Sequence, residues 1–529
     1  MSSLLHELIL RSAEKTPDAE AIRFQKQKLS YSSLAHQVER AARGLIALGL
    51  GRRERVAVYL DKRPETVIAM FAAAAAGAVF VPLNPLLKPE QVAYILRDCN
   101  VRILITARDR LQLLEDVLPD CHDMRQAVVI GEGMLDAGGA ALPLTTWDNV
   151  LSRGDAGALH HSIDSDMVAI LYTSGSTGKP KGVVLSHRNM VAGAVSVASY
   201  LQNSPDDRIL SVLPFSFDYG FSQLSTAFLT GACVVLMNYL LARDVITMAE
   251  RERISGLAAV PPLWIQLAQL EWPSPVQDHL RYITNSGGAM PRAVVETLRT
   301  KLPKTDIFLM YGLTEAFRST YLPPAELARR PDSIGKAIPN AEILVVRPDG
   351  SLCAPGEPGE LVHRGALVAL GYWNDPAKTA ERLRPAPGQL PDLTLPEIAV
   401  WSGDTVRMDE EGFLYFIGRK DDMIKTSGYR VSPTEIEEVI YSTGLVGEAV
   451  ALGVPHPVLG QAIVVVATPL NGSTLDVDAL MAECKQHLPT FMVPALISMR
   501  SALPRNPNGK IDRKQIAVAF ANHFSGATG

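Results

Sequence analysis

Five cysteines in 529 residues, at positions 99, 121, 233, 353 and 484, show no paired spacing. This argues against a zinc site or a disulfide framework and fits a reducing compartment, with the cytosol as the default. Positive charge is not in surplus either: 51 Lys and Arg against 56 Asp and Glu leave a net charge of -5, which gives no field to draw nucleic acid or an anionic membrane. Long apolar runs are missing. The longest, Val67 to Leu83, covers 17 residues with five consecutive alanines, short of the ~20 that a transmembrane helix needs. It reads as a buried helix feeding a strand at Ala78 to Leu83. Met1 to Lys15 lacks a positive region ahead of an apolar stretch, so it is not a signal peptide, and Leu4, Leu5, Leu8 and Ile9 share one face of a docking helix. No internal repeat is present.

At this length and 47% hydrophobic, the chain is globular and should divide into two or more domains. Short apolar strands separated by helix-length segments, at Arg55 to Leu60, Ala78 to Leu83, Ile103 to Thr106 and Ala127 to Ile130, imply a parallel, helix-covered sheet. A second such series runs through Arg208 to Leu213, Cys233 to Met237, Gly256 to Val260, Tyr282 to Ser286 and Ile307 to Tyr311. Between about 341 and 418 the texture turns Val-rich and Gly-Pro-punctuated, the mark of a β-rich subdomain. Beyond Gly418 follows a compact α+β stretch with a polar tail from Phe524.

Residues 172 to 182, Tyr-Thr-Ser-Gly-Ser-Thr-Gly-Lys-Pro-Lys-Gly, carry most of the chemistry. Backbone N–H groups freed by glycine, the hydroxyls of Thr173, Ser174, Ser176 and Thr177, and the ammonium groups of Lys179 and Lys181 can all turn toward phosphate oxygens. The spacing fails the Walker A pattern, since Lys179 is followed by Pro180. Apolar runs at Met167 to Leu171 and Val183 to Leu185 predict that Gly175 and Gly178 sit at the tip of a β-hairpin.

Four more constellations accompany the loop. Tyr311-Gly312-Leu313-Thr314-Glu315 follows a strand and offers an aromatic face for a base, a hydroxyl for a phosphate and a carboxylate for Mg²⁺. Ser286-Gly287-Gly288-Ala289 lets a flat ring approach bare backbone. Asp404, in Trp401-Ser402-Gly403-Asp404, could accept both hydroxyls of a ribose, with Arg419 fifteen residues on. Lys510 lies on the glycine turn Pro507-Asn508-Gly509-Lys510. Taken singly, Asp404 could cap a turn, Glu315 could pair with Arg318, and Lys510 could be a surface charge.

In this order the set resembles the adenylate-forming superfamily of acyl-CoA synthetases, peptide-synthetase adenylation domains and luciferases, over essentially the whole chain. The resemblance implies an α/β fold: a large N-terminal domain over 1–418, made of two helix-covered sheets plus the β-rich subdomain, and a small mobile α+β lid over 422–529. A hinge at 419–421 would centre on Asp421. It implies ATP and Mg²⁺, with Glu315 at the metal and Lys510 and Thr314 acting on the reacting groups. The nucleotide would meet Thr173 through Lys179, Lys181, Gly287, Gly288, Ala289, Tyr311, Gly312, Asp404 and Arg419. After the acid is activated, lid rotation would withdraw Lys510 and bring the loop at Gly428 to a thiol.

The segment Leu213 to Gly220 matches the family's acyl pocket, where many fatty and aromatic acyl-CoA synthetases carry a His. Here it holds Phe217-Asp218, similar to domains whose carboxylate takes a substrate ammonium. Tyr219, Ser222, Thr284, Ser286 and Arg318 complete the expected pocket. Asp218 could instead cap a helix or pair with Arg318, and Arg318 could bind a second substrate carboxylate. Residues 61–65, 84–90 and 311–320 also look like stand-alone acyl-CoA ligases of the exosortase A system and L-prolyl carrier-protein ligases. The acceptor implied is a phosphopantetheine thiol, on CoA or on a separate carrier protein, and no stretch after Lys510 is long enough to hold a carrier domain. The remaining alternatives are an acyl-CoA ligase for a non-amino acid, a phosphotransferase releasing ADP, a luciferase-like oxygenase, and a binding protein without catalysis.

Overall fold

The computed structural model describes residues 2–131, 142–155, 157–173, 180–389, 392, 394–419, 422–426, 429–457, 459–470 and 476–524. Ser174, Gly175, Ser176, Thr177, Gly178, Lys179, Asp421 and Gly428 lie outside the described residues.

The first α/β series forms an eight-stranded sheet whose central strands, among them Arg55–Tyr59, Val79–Pro82 and Val101–Ala107, run parallel. They are apolar on both faces because helices cover both. The second series builds a 14-stranded sheet in which Arg208–Ser211, Gly256–Ala259, Tyr282–Asn285 and Asp306–Tyr311 lie side by side and parallel. The strands of the β-rich stretch join this same sheet through Ser333–Ala337 against Leu414–Arg419, while keeping small cores of their own around Leu361 and Val362. An N-terminal hairpin of Glu20–Phe24 and Gln27–Ser30 adds to the opposite edge.

The apolar run that stops short of a membrane span is the helix Pro64–Ala75, every residue of it but Glu65 buried, leading into Val79–Pro82. Phe71 and Phe80 both stack on Phe221 of the helix Asp218–Thr230, at 5.8 and 5.2 Å between centroids, so the two helices and two sheets share one core. Full burial of each such ring is worth about 1.5–3 kcal/mol. Lys62 fastens the same layer, its ammonium donating to the carbonyls of Val212 and Met237 at 2.9 and 3.2 Å. The N-terminal helix Glu7–Lys15 docks through Leu5, Leu8 and Ile9, and Ser12 donates to the Phe228 carbonyl. Among the described residues no helix is long and apolar enough to cross a membrane.

The C-terminal unit has its own five-stranded sheet, dominated by the hairpin Val446–His456 and Gly460–Pro469, with apolar clusters on both faces. Among the described residues, two hydrogen bonds tie it to distant parts of the rest of the molecule: Asn84 donates to the Pro507 carbonyl at 2.6 Å, and Glu438 accepts from the Arg292 amide at 2.9 Å.

Candidate active site

Because the four parallel strands of the large sheet end together, the segments leaving them converge at one edge, where open α/β sheets bind ligands. The strand Arg208–Ser211 leads to Phe217 and Asp218, Tyr282–Asn285 to Ser286 and Gly287, and Asp306–Tyr311 to Thr314 and Glu315. Gly220 makes the first of these turns possible, since a Cβ there would meet the Pro214 carbonyl oxygen at 2.0 Å. Asp218 opens the helix Asp218–Thr230 without capping it. Its carboxylate, 4% exposed, accepts a hydrogen bond from the Thr314 hydroxyl at 3.1 Å.

Lys510 reaches into this junction from the C-terminal unit, so it is no surface charge. The turn that carries it is held by Asn506, whose side chain accepts from the amides of Asn508 and Lys510, with Gly509 at φ +79°. The ammonium lies 4.8 Å from the centre of the Phe217 ring, and a Cβ on Gly287 would stand 2.7 Å from Lys510 Cε. Burial pushes Lys510 down to about 8; Asp218 opposes that shift, while Arg419 and Arg318 add to it. Burial likewise pushes Asp218 up, against the pull of Arg318 and Lys510.

Glu315 accepts a hydrogen bond from the Tyr372 hydroxyl, and its carbonyl accepts from Ala369 N at 2.8 Å; it does not pair with Arg318. Among the described residues no three metal-ligating side chains cluster. A lone protein carboxylate suits Mg²⁺, which keeps waters and binds phosphate oxygens for the rest of its shell.

Asp404 is a strand residue, not a turn cap. It lies on Ile398–Met408, paired in register with Arg419 across the hairpin, which explains their separation of fifteen residues. Tyr311 donates to its Oδ2 at 2.5 Å, and Arg419 Nε lies 3.1 Å from Oδ1. The carboxylate is 3% exposed, and Oδ1 lacks an aligned hydrogen bond despite its charged neighbour. An acceptor left so, beside an aromatic face, fits the hydroxyls and base of a nucleoside.

The strands on either side of residues 174–179 pair as a hairpin requires. Met167–Thr173 pairs antiparallel with Lys181–Ser186, Thr173 opposite Lys181. Lys181 lies 3.7 Å from Asp375, and the Tyr172 hydroxyl donates to Asp98 at 2.6 Å, fixing the strand that enters the loop.

In the expected acyl pocket the hydroxyls of Tyr219 and Thr284 are 2.5 Å apart, and Arg318 donates to the Ser286 hydroxyl at 2.9 Å. Ser222 lines the same interior. Arg318 points inward because Phe317, fully buried, holds φ +55°, a strain of about 1–3 kcal/mol for a bulky residue. Gly193 makes room for that ring; a Cβ there would strike Phe317 Cδ1 at 2.4 Å. Sequence reasoning missed Tyr372, Asn84 and Arg382, the last lying where a Cβ on Gly403 would fall. Asn84 lies in a stretch that carries a resemblance but was given no role, and strand pairing and domain contact bring in all three.

The model of the AMP-binding enzyme family matches residues 9–373, and that of the AMP-binding enzyme C-terminal domain matches 435–510. The chain belongs to the AMP-binding enzyme family. Among family members, it is 31% identical over 98% of its length to the indoleacetate–CoA ligase of Aromatoleum aromaticum, covering 98% of that protein. It is 32% identical over 93% of its length to the L-proline–[L-prolyl-carrier protein] ligase of Streptomyces coelicolor, covering 92% of it. Tyrocidine synthase 3 of Brevibacillus parabrevis is 29% identical over 98% of the chain, which spans only 8% of that protein. The o-succinylbenzoate CoA synthetase of Bacillus subtilis, solved with ATP and magnesium ion, superposes with a TM-score of 0.79 at 26% identity, covering 96% of this chain and 98% of that one.

Proposed function

We propose that this AMP-binding enzyme activates a carboxylic acid, read here as an amino acid, with ATP, and passes the acyl group to a phosphopantetheine thiol of CoA or of a carrier protein. The observation that carries the reading is Lys510, delivered by the C-terminal unit to within 4.8 Å of the Phe217 ring centre beside Asp218 and Gly287. A substrate carboxylate attacks the α-phosphorus, a new P–O bond forms, and the bond to pyrophosphate breaks. Two anions must meet for this, and an ammonium between them lowers the barrier. Thr314 would steady the α-phosphate, and the hairpin from Thr173 to Lys181 would hold the departing pyrophosphate. Tyr311, Asp404 and Arg419 would hold adenine and ribose beside Gly287, Gly288, Ala289 and Gly312. A magnesium ion bound with the nucleotide, held on the protein by Glu315, would neutralise phosphate charge.

The buried Asp218, without a direct ion-pair partner among the described residues, supports an ammonium-bearing substrate, because an unpaired buried carboxylate is costly. The full-length likeness to an indoleacetate–CoA ligase keeps a non-amino acid as the second reading. Residues 1–418 and 422–529 form the two moving parts in this scheme, joined at 419–421. Rotation there withdraws Lys510 and brings the Gly428 loop to the thiol. The unpaired cysteines and the need for ATP support the cytoplasm as its place.

Pyrophosphate exchange across the proteinogenic amino acids, short diacids and medium-chain fatty acids tests the substrate, and nucleotide analysis tests the reaction. AMP and pyrophosphate are expected. ADP would refute the scheme, and exchange with fatty acids alone would refute the amino acid.

A further inference from the structure

Arg318 is a charge without a counter-charge in contact. It is 1% exposed, and among the described residues no carboxylate pairs with it; Asp218 acts on it only from beyond contact. Its guanidinium donates through Nη1 to Ser286 and lies 4.6 Å from the centre of the Tyr219 ring. Nε, fully buried, has no partner. The group faces a cavity of about 20 Å³ bordered by Tyr219, Ser222, Gln223, Thr284 and Met310, room for one small polar group.

Asp218 and Arg318 offset each other at a distance. A substrate ammonium taken by Asp218 removes that offset and leaves a buried guanidinium without a counter-charge, an expensive state. A substrate matched to both residues must bring a second anion of its own. An apolar side chain would instead leave Nε unpaired.

We propose that Arg318 selects the substrate: a four- or five-carbon amino acid with two carboxylates, whose distal carboxylate meets Arg318 while Asp218 takes the ammonium and the other carboxylate is activated. This rests on the reading of Asp218 as the ammonium acceptor. Gln223 Oε1 is also buried without a partner, its amide nitrogen being held by the Leu210 carbonyl at 3.0 Å. A distal carboxamide is therefore the competing ligand.

The test is ATP–pyrophosphate exchange by the full chain with L-aspartate, L-glutamate, their amides, L-norvaline, succinate and glutarate. One acidic amino acid should exceed its amide and norvaline by about 10²-fold or more in kcat/KM, the discrimination of a site built around a specific polar contact. Arg318→Met should erase that advantage and favour norvaline, and Arg318→Lys should restore part of it. If a variant does not fold, the wild-type panel, together with calorimetric binding of aspartate and norvaline, still decides. Equal use of norvaline or the amide overturns the role of Arg318 and leaves Asp218 standing. Succinate or glutarate matching the amino diacids overturns the ammonium role of Asp218 and keeps Arg318. No exchange with any compound overturns both.

Discussion

Replacing Gly287 with alanine would put a methyl 2.7 Å from Lys510 Cε and 3.0 Å from its ammonium nitrogen, well inside the ordinary carbon contact of about 3.5–4.0 Å. The obstructed group is the tip of a flexible side chain, so the lysine yields rather than the backbone, and it retreats by about 1 Å. Misplacing a positioned group by that distance costs about 10²-fold in rate, or about 2.7 kcal/mol of transition-state stabilisation. The left-handed backbone at Gly287, φ +83°, adds a folding penalty of about 1–2 kcal/mol, too small to unfold a domain of ordinary stability. Pyrophosphate exchange by Gly287→Ala should therefore fall about 10²-fold. Thioester formation from saturating acyl-adenylate, a step from which the proposed scheme withdraws Lys510, should change little in kcat. Adding Lys510→Ala to Gly287→Ala should cost less than it does in the wild type, since both act on one group. Equal loss in both half-reactions, or full additivity of the pair, would refute the reasoning.

Lys510→Ala alone should lower adenylate formation by about 10²–10³-fold and spare thioester formation from the adenylate; equal loss of both refutes its role. Burial sets Lys510 at about 8, and the proposed role needs its charged form, dominant below that value. Exchange measured as kcat/KM should therefore fall about tenfold per pH unit above about 8, and Lys510→Ala should lose this limb. Tyr372→Phe frees Glu315 and should raise the Mg²⁺ concentration needed for half-maximal exchange by about 10-fold or more, with kcat at saturating Mg²⁺ little altered; a fall in kcat alone would make Tyr372 merely structural.

Much of the architecture was legible because it is local. The alternation of apolar runs with helix-length segments marked the strands of both sheets, and the runs flanking 174–179 identified a hairpin. The buried helix Pro64–Ala75 followed from a run too short and too alanine-rich for a bilayer. Contacts made between distant strands were less legible. The spacing from Asp404 to Arg419 becomes meaningful only when the hairpin places them opposite each other, and nothing near Tyr372 points to Glu315. The β-rich stretch reads as a separate texture because its turns are dense, yet backbone pairing at Ser333–Ala337 merges it with the second sheet. The inward turn of Arg318 depends on the strained Phe317 and the space left by Gly193, which no periodicity encodes.

The hydrogen bonds from Asn84 to Pro507 and from Arg292 to Glu438 would have to break in the proposed rotation. Each is worth about 1 kcal/mol net, a small tie to break. In that scheme the departure of an anion from beside Lys510 would weaken what holds the unit in place. In the proposed scheme this seam would open once per cycle, when the product it helped to make departs. A tighter seam would hold Lys510 better and leave the activated acid stranded.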